Sequence, residues 1–480
     1  MSSTDVQAAP TGIFAKLTGS APASASEEKV SAFDAVMPES ARGKERFIPV
    51  TRFALLDRLT SPTAWPAGHG KEARRFFRYL DHWRRQQYNA QLNELEETYE
   101  PFSPDSDLLM TRAFTPDERA VMQARVVDGM TRILTQANYV RIDHNDVEQI
   151  LTRDSAYGLD LQVDLNVFEE VLLFYRGASS KRDSRRRWQK FYLREQFDIP
   201  LFQRLFLLFK LKPTEKRVLE LMQTKKLSRR EAEKLVKRER DGIPPAVKET
   251  CIYMKLFKNI PRSDLEMIFP NTRVRFRFFD KLRLGATAGG GLGLGLFGAA
   301  GKIALLATNP IAALGAMVGL GGIAFRQSVN FMNQKQRYMV VMAQNLYFHA
   351  MADNRGVMLK LAARAAEEDI KEEMLLYSVL TKEKARRQDI PDIDAAIEQY
   401  LAASFGVSVD FDISDALERL IGDGLVVEHP DGRLEAKQPK DAAQHIDKLW
   451  DAFLDQLPEP VSAEGMEFEG GEPPLSAPTA

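Results

Sequence analysis

The stretch that most constrains the fold of this chain runs from Leu284 to Phe325, because it is rich in Gly, Ala and Leu and carries a single formal charge, Lys302. A bilayer core is about 30 Å thick and is crossed by a helix of about 20 apolar residues, so this stretch is long enough to cross twice. Proline in the segment Thr308–Pro310 denies a helix one donor and disfavours the α region for the residue before it. The pattern predicts a two-helix transmembrane hairpin over residues 284–328.

Small residues recur at four-residue spacing within the predicted hairpin. They are Gly285, Gly289 and Gly293 in the first leg and Gly315 and Gly319 in the second. This spacing lets helix backbones approach closely in lipid, so we expect these glycines to pack the two legs together. A contact between subunits is the alternative, and it predicts a homo-oligomer that forms a small channel.

Basic residues flank the predicted hairpin on both sides and are absent from its turn. Cytoplasmic flanks of membrane helices carry an excess of Lys and Arg, so both termini are predicted to lie in the cytoplasm. Residues 1–44 are rich in Ala, Ser, Pro and Thr and contain no apolar signal segment. They are expected to form a disordered leader rather than a secretory signal.

Composition and motifs argue against a cofactor, a metal site or a nucleic-acid partner. The sequence GLGLFG at 293–298 fits a dinucleotide-binding fingerprint, but no strand is predicted before it and no acidic residue follows at the required distance. The six histidines show no metal-ligand spacing with one another or with the single cysteine, Cys251. With 66 basic and 67 acidic residues, the whole chain has no net attraction for nucleic acid. We therefore predict no cofactor and no metal.

Changes in composition and periodicity divide the chain into regions. Amphipathic helices are predicted over Lys71–Tyr99 and Thr115–Gln136, the second opening with a capping threonine and a first-turn proline. Strands are expected at 161–166, 171–175, 188–193, 205–212 and 250–257. The predicted regions are a helical module (45–157), an α+β domain with a small antiparallel or mixed sheet (158–280), the hairpin (284–328), cytoplasmic helices (329–385), a winged-helix-like domain (386–455) and an acidic disordered tail (456–480).

A basic loop is predicted between two strands of the α+β domain. Its cations are Lys181, Arg182, Arg185, Arg186 and Arg187. One interpretation is a solvated hairpin tip. The other is a contact with anionic lipid or an acidic partner, in which each cation near such a surface is worth about 1 kcal/mol. Both interpretations stay open at this point.

Two groups of acidic residues suggest chemistry but fit structural roles better. Asp264 and Glu266 are candidates for a catalytic pair, yet Ser263 and Glu266 fit the S-x-x-E capping box, in which the serine begins a helix. The acids within Glu367–Glu373 lack the Glu-x-x-His spacing of a di-metal bundle, so a solvated helix face is predicted. No catalytic residue is predicted.

Three predicted helices followed by two short strands give residues 373–436 the order of a winged-helix domain. The helices are expected at 373–381, 392–403 and 414–421, and the strands at 424–427 and 432–436. A domain that reads DNA presents cations to phosphate, whereas acidic residues outnumber basic ones between Asp410 and Lys437. The domain is therefore predicted to bind a protein partner rather than nucleic acid.

Several segments together resemble a known family. They are ERFIPVTR at 45–52, FYRG at 174–177, LFKNIPRSDLEMIFP at 256–270, NLYFHAMADNRGVMLKLAARAAEEDIKEE at 345–373 and VDFDISDALERLIGDGLV at 409–426. The chain resembles the uncharacterised membrane family that includes transmembrane protein 143. The resemblance implies an integral membrane protein of undefined function, mitochondrial in animals and located in the inner membrane in bacteria. Since the chain has no mitochondrial presequence, a bacterial inner-membrane protein is expected. The family supplies no catalytic residues.

The sequence alone is compatible with three functions. The preferred one is a membrane-tethered interaction or regulatory protein, an α+β protein whose cytoplasmic domains bind a protein partner or lipid headgroups. The second is the channel formed by the glycine-rich hairpin. The third is an enzyme acting near the bilayer, for which Asp264, Glu266 and Arg185–Arg187 are the only candidates. Fold analogy does not choose among them.

Overall fold

The computed structural model describes residues 45–65, 68–107, 113–143, 147, 160–186, 194–275, 340, 346–410 and 413–456. Nine α-helices have both of their ends in this part of the chain. They are α1 (Arg52–Leu59), α2 (His69–Tyr99), α3 (Pro116–Gln136), α4 (Thr214–Lys225), α5 (Arg229–Arg240), α6 (Asn354–Leu380), α7 (Ile390–Phe405), α8 (Ser414–Gly422) and α9 (Pro439–Asp451).

The strands of the described residues form three antiparallel sheets. They are β1 (Val140–Arg141), β2 (Asp160–Gln162), β3 (Phe168–Arg186), β4 (Arg194–Leu211), β5 (Ile252–Pro261), β6 (Arg273–Arg275), β7 (Ala350–Asp353), β8 (Ala385–Arg386), β9 (Val426–Glu428) and β10 (Arg433–Ala436). The central sheet has five strands in the order β1-β3-β4-β5-β7. A second has the order β8-β10-β9, and β2 pairs with β6.

The predicted amphipathic helices are confirmed. Helix α2 spans His69–Tyr99, and the apolar positions that define its predicted face are buried. Helix α3 begins after Thr115 with a capping box, in which Glu118 N donates to Thr115 Oγ1 at 3.3 Å and Thr115 N donates to Glu118 Oε2 at 2.8 Å. These bonds satisfy amide groups that the first helical turn otherwise leaves without partners.

In the middle of the central sheet, the described residues of β3, β4 and β5 are buried on both faces, and side chains alternate between the faces. Leu172 and Phe174 of β3 belong to the larger core, which continues through helices α2, α3 and α6 and into helices α7–α9. Leu173 and Tyr175 point to the opposite face, which packs against the short 3-10 segment Arg262–Ile268. A strand buried on both faces has no polar side, which explains the apolar run that predicted it.

The order of elements predicted for the C-terminal region is observed. Helices α7 and α8 are followed by β9 and β10, and β8 adds a third strand beside β10. The first helix predicted there, 373–381, is the C-terminal part of the much longer α6. Gly432 forms the turn between β9 and β10 with φ +77°, and its amide donates to the His429 carbonyl at 2.8 Å.

The predicted transmembrane hairpin over 284–328 lies outside the described residues. In the part of the chain that the structure describes, no helix is both long enough and apolar enough to cross a membrane. The long helices α2 and α6 carry charged side chains along their length, which is the physical reason. This finding contradicts the membrane-anchored fold class and the predicted inner-membrane location with cytoplasmic termini. The corrected description is an α+β protein built from helices and antiparallel sheets.

Candidate anion-binding site

Most of the residues predicted as contact sites lie on β3 or outside the described part of the chain. Lys181, Arg182, Arg185 and Arg186 belong to β3 and pair with β4, the last of them opposite Arg194. The loop prediction is therefore wrong for these four residues, because the hairpin continues farther than the apolar pattern indicates. Arg187 lies outside the described residues, as do the predicted packing glycines, Gly285, Gly289, Gly293, Gly315 and Gly319. Contact of the cations with lipid or a partner stays a prediction.

The candidate acids after β5 lie in a 3-10 helix, Arg262–Ile268. The residue before this helix is Pro261, so the prediction that Ser263 begins a helix and caps it is wrong. Glu266 is 3% exposed, and its backbone carbonyl accepts a hydrogen bond from Thr272 Oγ1. The side chain of Asp264 lies outside what the structure describes.

Four of the five acids within Glu367–Glu373 are buried, and the prediction of a solvated face is wrong for them. Glu368, Asp369, Lys371, Glu372 and Glu373 are each 5% exposed or less. We call these five residues the acidic band. The misreading has a physical cause: charges in a helix are normally solvated, and burial is tolerated only where partners from elsewhere compensate them.

Arg419 of α8 pairs with three carboxylates of the acidic band. Its guanidinium lies 3.4 Å from Asp369 Oδ1, 3.0 Å from Glu372 Oε2 and 2.8 Å from Glu373 Oε1. Arg84 of α2 adds a contact of 2.9 Å to Glu373. The arginines thus connect α2 and α8 to the same face of α6.

Hydrogen bonds from uncharged groups complete the band. Tyr88 Oη donates to Asp369 Oδ2 at 2.7 Å, and Asn138 Nδ2 donates to Glu372 Oε1 at 3.1 Å. Burial raises the pKa of Asp369 to about 6 and the pKa of Glu372 to about 8, while Arg419 opposes both shifts. Among the described residues, no group of three or more His, Cys, Asp or Glu side chains is arranged to hold a metal ion.

The remaining pair of the band, Lys371 and Glu368, forms hydrogen bonds with the backbone of Ile48. Lys371 Nζ lies 3.0 Å from Glu368 Oε1 and donates to the Ile48 carbonyl at 2.6 Å. The Ile48 amide donates to Glu368 Oε2 at 3.2 Å. Each charge of the band therefore has a partner of opposite charge within the protein.

A cavity of about 470 Å³ lies one to two turns before the acidic band, between α6 and the central sheet. Its polar lining is dominated by cations: Arg85, Arg176, Arg204, Lys360 and Arg364. Glu367 is the single carboxylate of the described lining. We call this cavity the cationic pocket.

Arg176 and Arg204 reach the pocket because the strands alternate. Arg176 continues the row of Leu172 and Phe174 on β3, and Arg204 stands opposite it on β4. Like charges opposite each other on neighbouring strands are destabilising unless they are compensated.

The Arg176 side chain is buried and incompletely satisfied. It is 8% exposed, and its guanidinium carbon lies 4.2 Å from the centre of the Phe47 ring. Nη1 donates to the Ala137 carbonyl at 3.3 Å and lies 3.5 Å from Glu368 Oε1. Nε is buried and has no hydrogen-bond partner among the described residues. Burial lowers the pKa of Arg176, Glu368 opposes this, and the cations of Arg364 and Arg204 lower it further.

The other cations of the pocket differ in their pairing. Arg85 Nε lies 2.9 Å from Asp81 Oδ1, and Arg364 Nη1 lies 2.8 Å from Glu367 Oε2. Arg204 Nη1 donates to the Gln203 carbonyl at 2.8 Å, and Lys360 Nζ donates to the Met351 carbonyl at 2.8 Å. No carboxylate of the described residues forms an ion pair with Arg204 or Lys360.

Gly177 shapes the strand beside the pocket. Its φ is +71°, a conformation that favours glycine, and a Cβ added there would lie 2.6 Å from Gln203 Oε1. Gln203 lines the pocket and donates to Glu45 Oε1 at 3.3 Å. Burial raises the pKa of Glu45, and Arg176 opposes that shift.

Sequence reasoning missed Arg176, Arg204 and Arg364. A usable signal was present, because two of these arginines interrupt apolar strand sequences, FYRG and FQRLFLLF. A charged residue on the buried face of a strand needs either a partner or a function.

A family model matches the part of the chain that contains the two sheet arginines. No solved structure matches the chain. The family model covers β3–β7, helices α4 and α5 and the first residues of α6, and so includes Arg176 and Arg204 but not Lys360 or Arg364. Residues 168–356 match the family described as protein of unknown function (DUF3754).

Proposed function

We propose that this protein is a binding or regulatory protein that recognises a small anionic ligand in the cationic pocket. One observation carries the proposal: the Arg176 side chain is buried at the pocket and its Nε has no hydrogen-bond partner among the described residues. A buried donor without a partner costs about 1–3 kcal/mol, and more when it is charged. A bound anion would supply the missing acceptor.

The neighbouring charges support an anion rather than a neutral ligand. Arg204 lies opposite Arg176 on the adjacent strand. Among the described residues, the hydrogen-bond partners of Arg204 and Lys360 are backbone carbonyls. A carbonyl accepts a hydrogen bond but does not neutralise a cation. Charges withdrawn from water are stabilised by an opposite charge held in the same low-dielectric site.

The lining favours binding over catalysis. No Ser, Thr, Cys or His side chain lines the pocket in the part of the chain described. Glu367, the one carboxylate of that lining, is paired with Arg364 at 2.8 Å. A general base has to reach the proton that it removes, and a carboxylate held by arginine is a weak base.

The acidic winged-helix-like region is proposed to bind a protein partner and not nucleic acid, on the strength of its excess of acidic residues between Asp410 and Lys437. Kinship with the family that includes transmembrane protein 143 is proposed from the segments at 45–52, 174–177 and 256–270. Neither the channel nor the enzyme near lipid draws support from a described residue.

The proposed anion binding is tested by the thermal stability of the full chain in sodium sulfate, sodium phosphate and sodium chloride at equal ionic strength. A ligand that binds only the folded state stabilises it by about 2.7 kcal/mol at a hundredfold excess over its Kd. We expect sulfate and phosphate to raise the melting temperature more than chloride does. The expected difference is lost in Arg204→Gln and kept in Arg230→Gln, a change at an exposed arginine of α5.

Two results would overturn the proposal. One is an equal shift in all three salts. The other is a sulfate shift that Arg204→Gln leaves unchanged, because this would locate the anion elsewhere on the protein.

A further inference from the structure

We infer that the ligand of the cationic pocket is a small-molecule phosphate monoester, held with its phosphate between Arg176 and Arg204 and its organic part against the apolar side of the pocket. The inference rests on the proposed anion binding and adds the charge and the chemical class of the ligand. It follows from three properties of the pocket: the number of cations without a carboxylate partner, the elements that supply them and the composition of the remaining wall.

The charge balance favours an anion with two negative charges. Arg85 and Arg364 have carboxylate partners, Asp81 and Glu367. Glu368, the one carboxylate in ion-pair contact with Arg176, lies closer to Lys371, at 3.0 Å against 3.5 Å.

Arg204 and Lys360 therefore form no ion pair with a carboxylate of the described residues, and Arg176 shares Glu368 with Lys371. A monocarboxylate would compensate one of these pocket cations. A phosphate monoester carries a charge of about −1.5 to −2 at pH 7 and compensates the site more completely.

The origin of the cations on three different elements favours a tetrahedral group. The guanidinium of Arg176 comes from β3, that of Arg204 from the facing position of β4, and the ammonium of Lys360 from α6 on the other wall. A carboxylate offers two oxygens in one plane, whereas a phosphate monoester offers three terminal oxygens that point in different directions. Arginine forks bind phosphate oxygens in pairs, so donors supplied by two strands and a helix suit phosphate.

The remaining wall gives the ligand an organic part. Phe47, Tyr139, Leu256, Met351 and Leu361 line the same cavity. The cavity volume of about 470 Å³ lies within the range of about 300–1,000 Å³ found for small-molecule pockets. Inorganic phosphate would occupy only a corner of this space, and a phosphorylated compound of sugar size would cover the apolar side chains as well.

Isothermal titration calorimetry of the full chain with glucose 6-phosphate, gluconate and glucose tests the inference, because these probes share a six-carbon skeleton and differ in charge. We expect glucose 6-phosphate to bind at least tenfold more tightly than gluconate, and glucose to give no measurable heat. Arg204→Gln is expected to weaken glucose 6-phosphate at least tenfold, and the exposed control Arg230→Gln to leave it unchanged. Circular dichroism of each variant checks that it is folded.

The outcomes separate this inference from the anion binding on which it rests. If gluconate binds as tightly as glucose 6-phosphate and both depend on Arg204, the pocket binds anions but the dianion assignment is wrong. If inorganic phosphate binds and glucose 6-phosphate does not, the assignment of an organic part is wrong. If none of these anions binds, both proposals fail.

A titration with a peptide carrying one phosphoserine distinguishes the source of the phosphate. Tighter binding of the peptide than of glucose 6-phosphate would assign the group to a protein partner and overturn the small-molecule assignment. Weaker binding of the peptide supports it.

Discussion

Two neighbouring parts of α6 differ in whether the charges around them are compensated within the protein. The acidic band, within 368–373, is buried and has a partner for every charge inside the protein. The pocket-facing part, within 360–367, lies one to two turns earlier and borders a cavity where cations of the described lining outnumber carboxylates. The charges of the acidic band are thus compensated within the protein, whereas we propose that those of the cationic pocket are compensated by a ligand.

Arg176 and Glu368 connect the two parts. Glu368 belongs to the acidic band, and its carboxylate lies 3.5 Å from the guanidinium that lines the pocket. We call the acidic band the closed network, because its charges are paired within the protein, and the cations of the pocket the open network, because Arg204 and Lys360 have no carboxylate partner among the described residues. The two networks should respond differently to substitution. Changes in the band should cost stability, and changes in the pocket should cost binding.

The largest expected effect is that of Arg419→Met in the band. The substitution leaves Asp369, Glu372 and Glu373 buried beside a neutral side chain. Removing one partner of a buried ion pair costs about 3–5 kcal/mol, so we expect a loss of unfolding free energy of that size in urea denaturation. Arg433→Met is the matched control, because Arg433 is 51% exposed and lies 3.8 Å from Glu435, which predicts a loss below about 1 kcal/mol. Equal losses in the two variants would contradict the closed network.

The second-largest expected effect is a pH dependence of the unfolding free energy, caused by Glu372 and Asp369 of the acidic band. Burial raises the pKa of Glu372 from 4.5 to about 8, so the folded protein holds a proton that the unfolded chain releases above its ordinary pKa. The unfolding free energy should therefore fall as the pH rises from about 4.5 to 8. Asp369, with a pKa raised from 3.8 to about 6, should contribute a smaller fall at lower pH.

Glu372→Gln tests this assignment, because glutamine has the shape of the protonated acid. Each pKa unit corresponds to about 1.4 kcal/mol. The variant is expected to lose at least about 1 kcal/mol of the fall in unfolding free energy between pH 5 and pH 8, measured from urea midpoints. Glu94→Gln, at an exposed position of α2, should keep the slope of the unmodified protein. An unchanged slope in Glu372→Gln would contradict the raised pKa.

Gly177→Ala should give a smaller loss of stability together with a loss of binding. An L-residue at positive φ costs about 1–2 kcal/mol, and the added Cβ also meets the Gln203 side chain at 2.6 Å. Gly432→Ala is a matched control, because its φ is +77° and nothing lies within 4 Å of an added Cβ. Denaturation of both variants separates backbone strain from contact. We expect phosphate affinity to fall only in Gly177→Ala, and equal affinity in both variants would count against the role of Gln203 beside the pocket.

The smallest expected effect on stability is that of Arg204→Gln. Removing a cation that faces Arg176 relieves cross-strand repulsion, which is worth about 0.2–1 kcal/mol. We expect the unfolding free energy to change by less than about 1 kcal/mol while the affinity for phosphate falls at least tenfold, or about 1.4 kcal/mol. A loss of stability comparable to that of Arg419→Met would place Arg204 in the closed network instead of the open one.

Local features of the fold were predictable, and the long-range ones were not. Helix α2 follows from its apolar face, and the start of α3 follows from Thr115, Pro116 and Glu118. The acids of α6 were misassigned because the arginine that compensates three of them, Arg419, follows them by about fifty positions in the chain and meets them only after folding.

The pocket was missed for the same reason. Arg176 and Arg204 are adjacent only once β3 and β4 pair, and Lys360 and Arg364 join them only when α6 packs over the sheet. Periodicity identifies which face of an element is buried, but it does not identify what covers that face. The isolated arginines within apolar strands were the one local sign of the site.

The most direct test of the open charge network is an X-ray diffraction experiment on crystals of the full chain soaked in tungstate, a tetrahedral dianion located by its anomalous signal. We predict an anomalous peak within hydrogen-bonding distance of Arg176 Nε and of the Arg204 guanidinium. The same crystals of Arg204→Gln should show a weaker peak or none. A pocket without tungstate, with the anion bound at other arginines of the surface, would contradict the account.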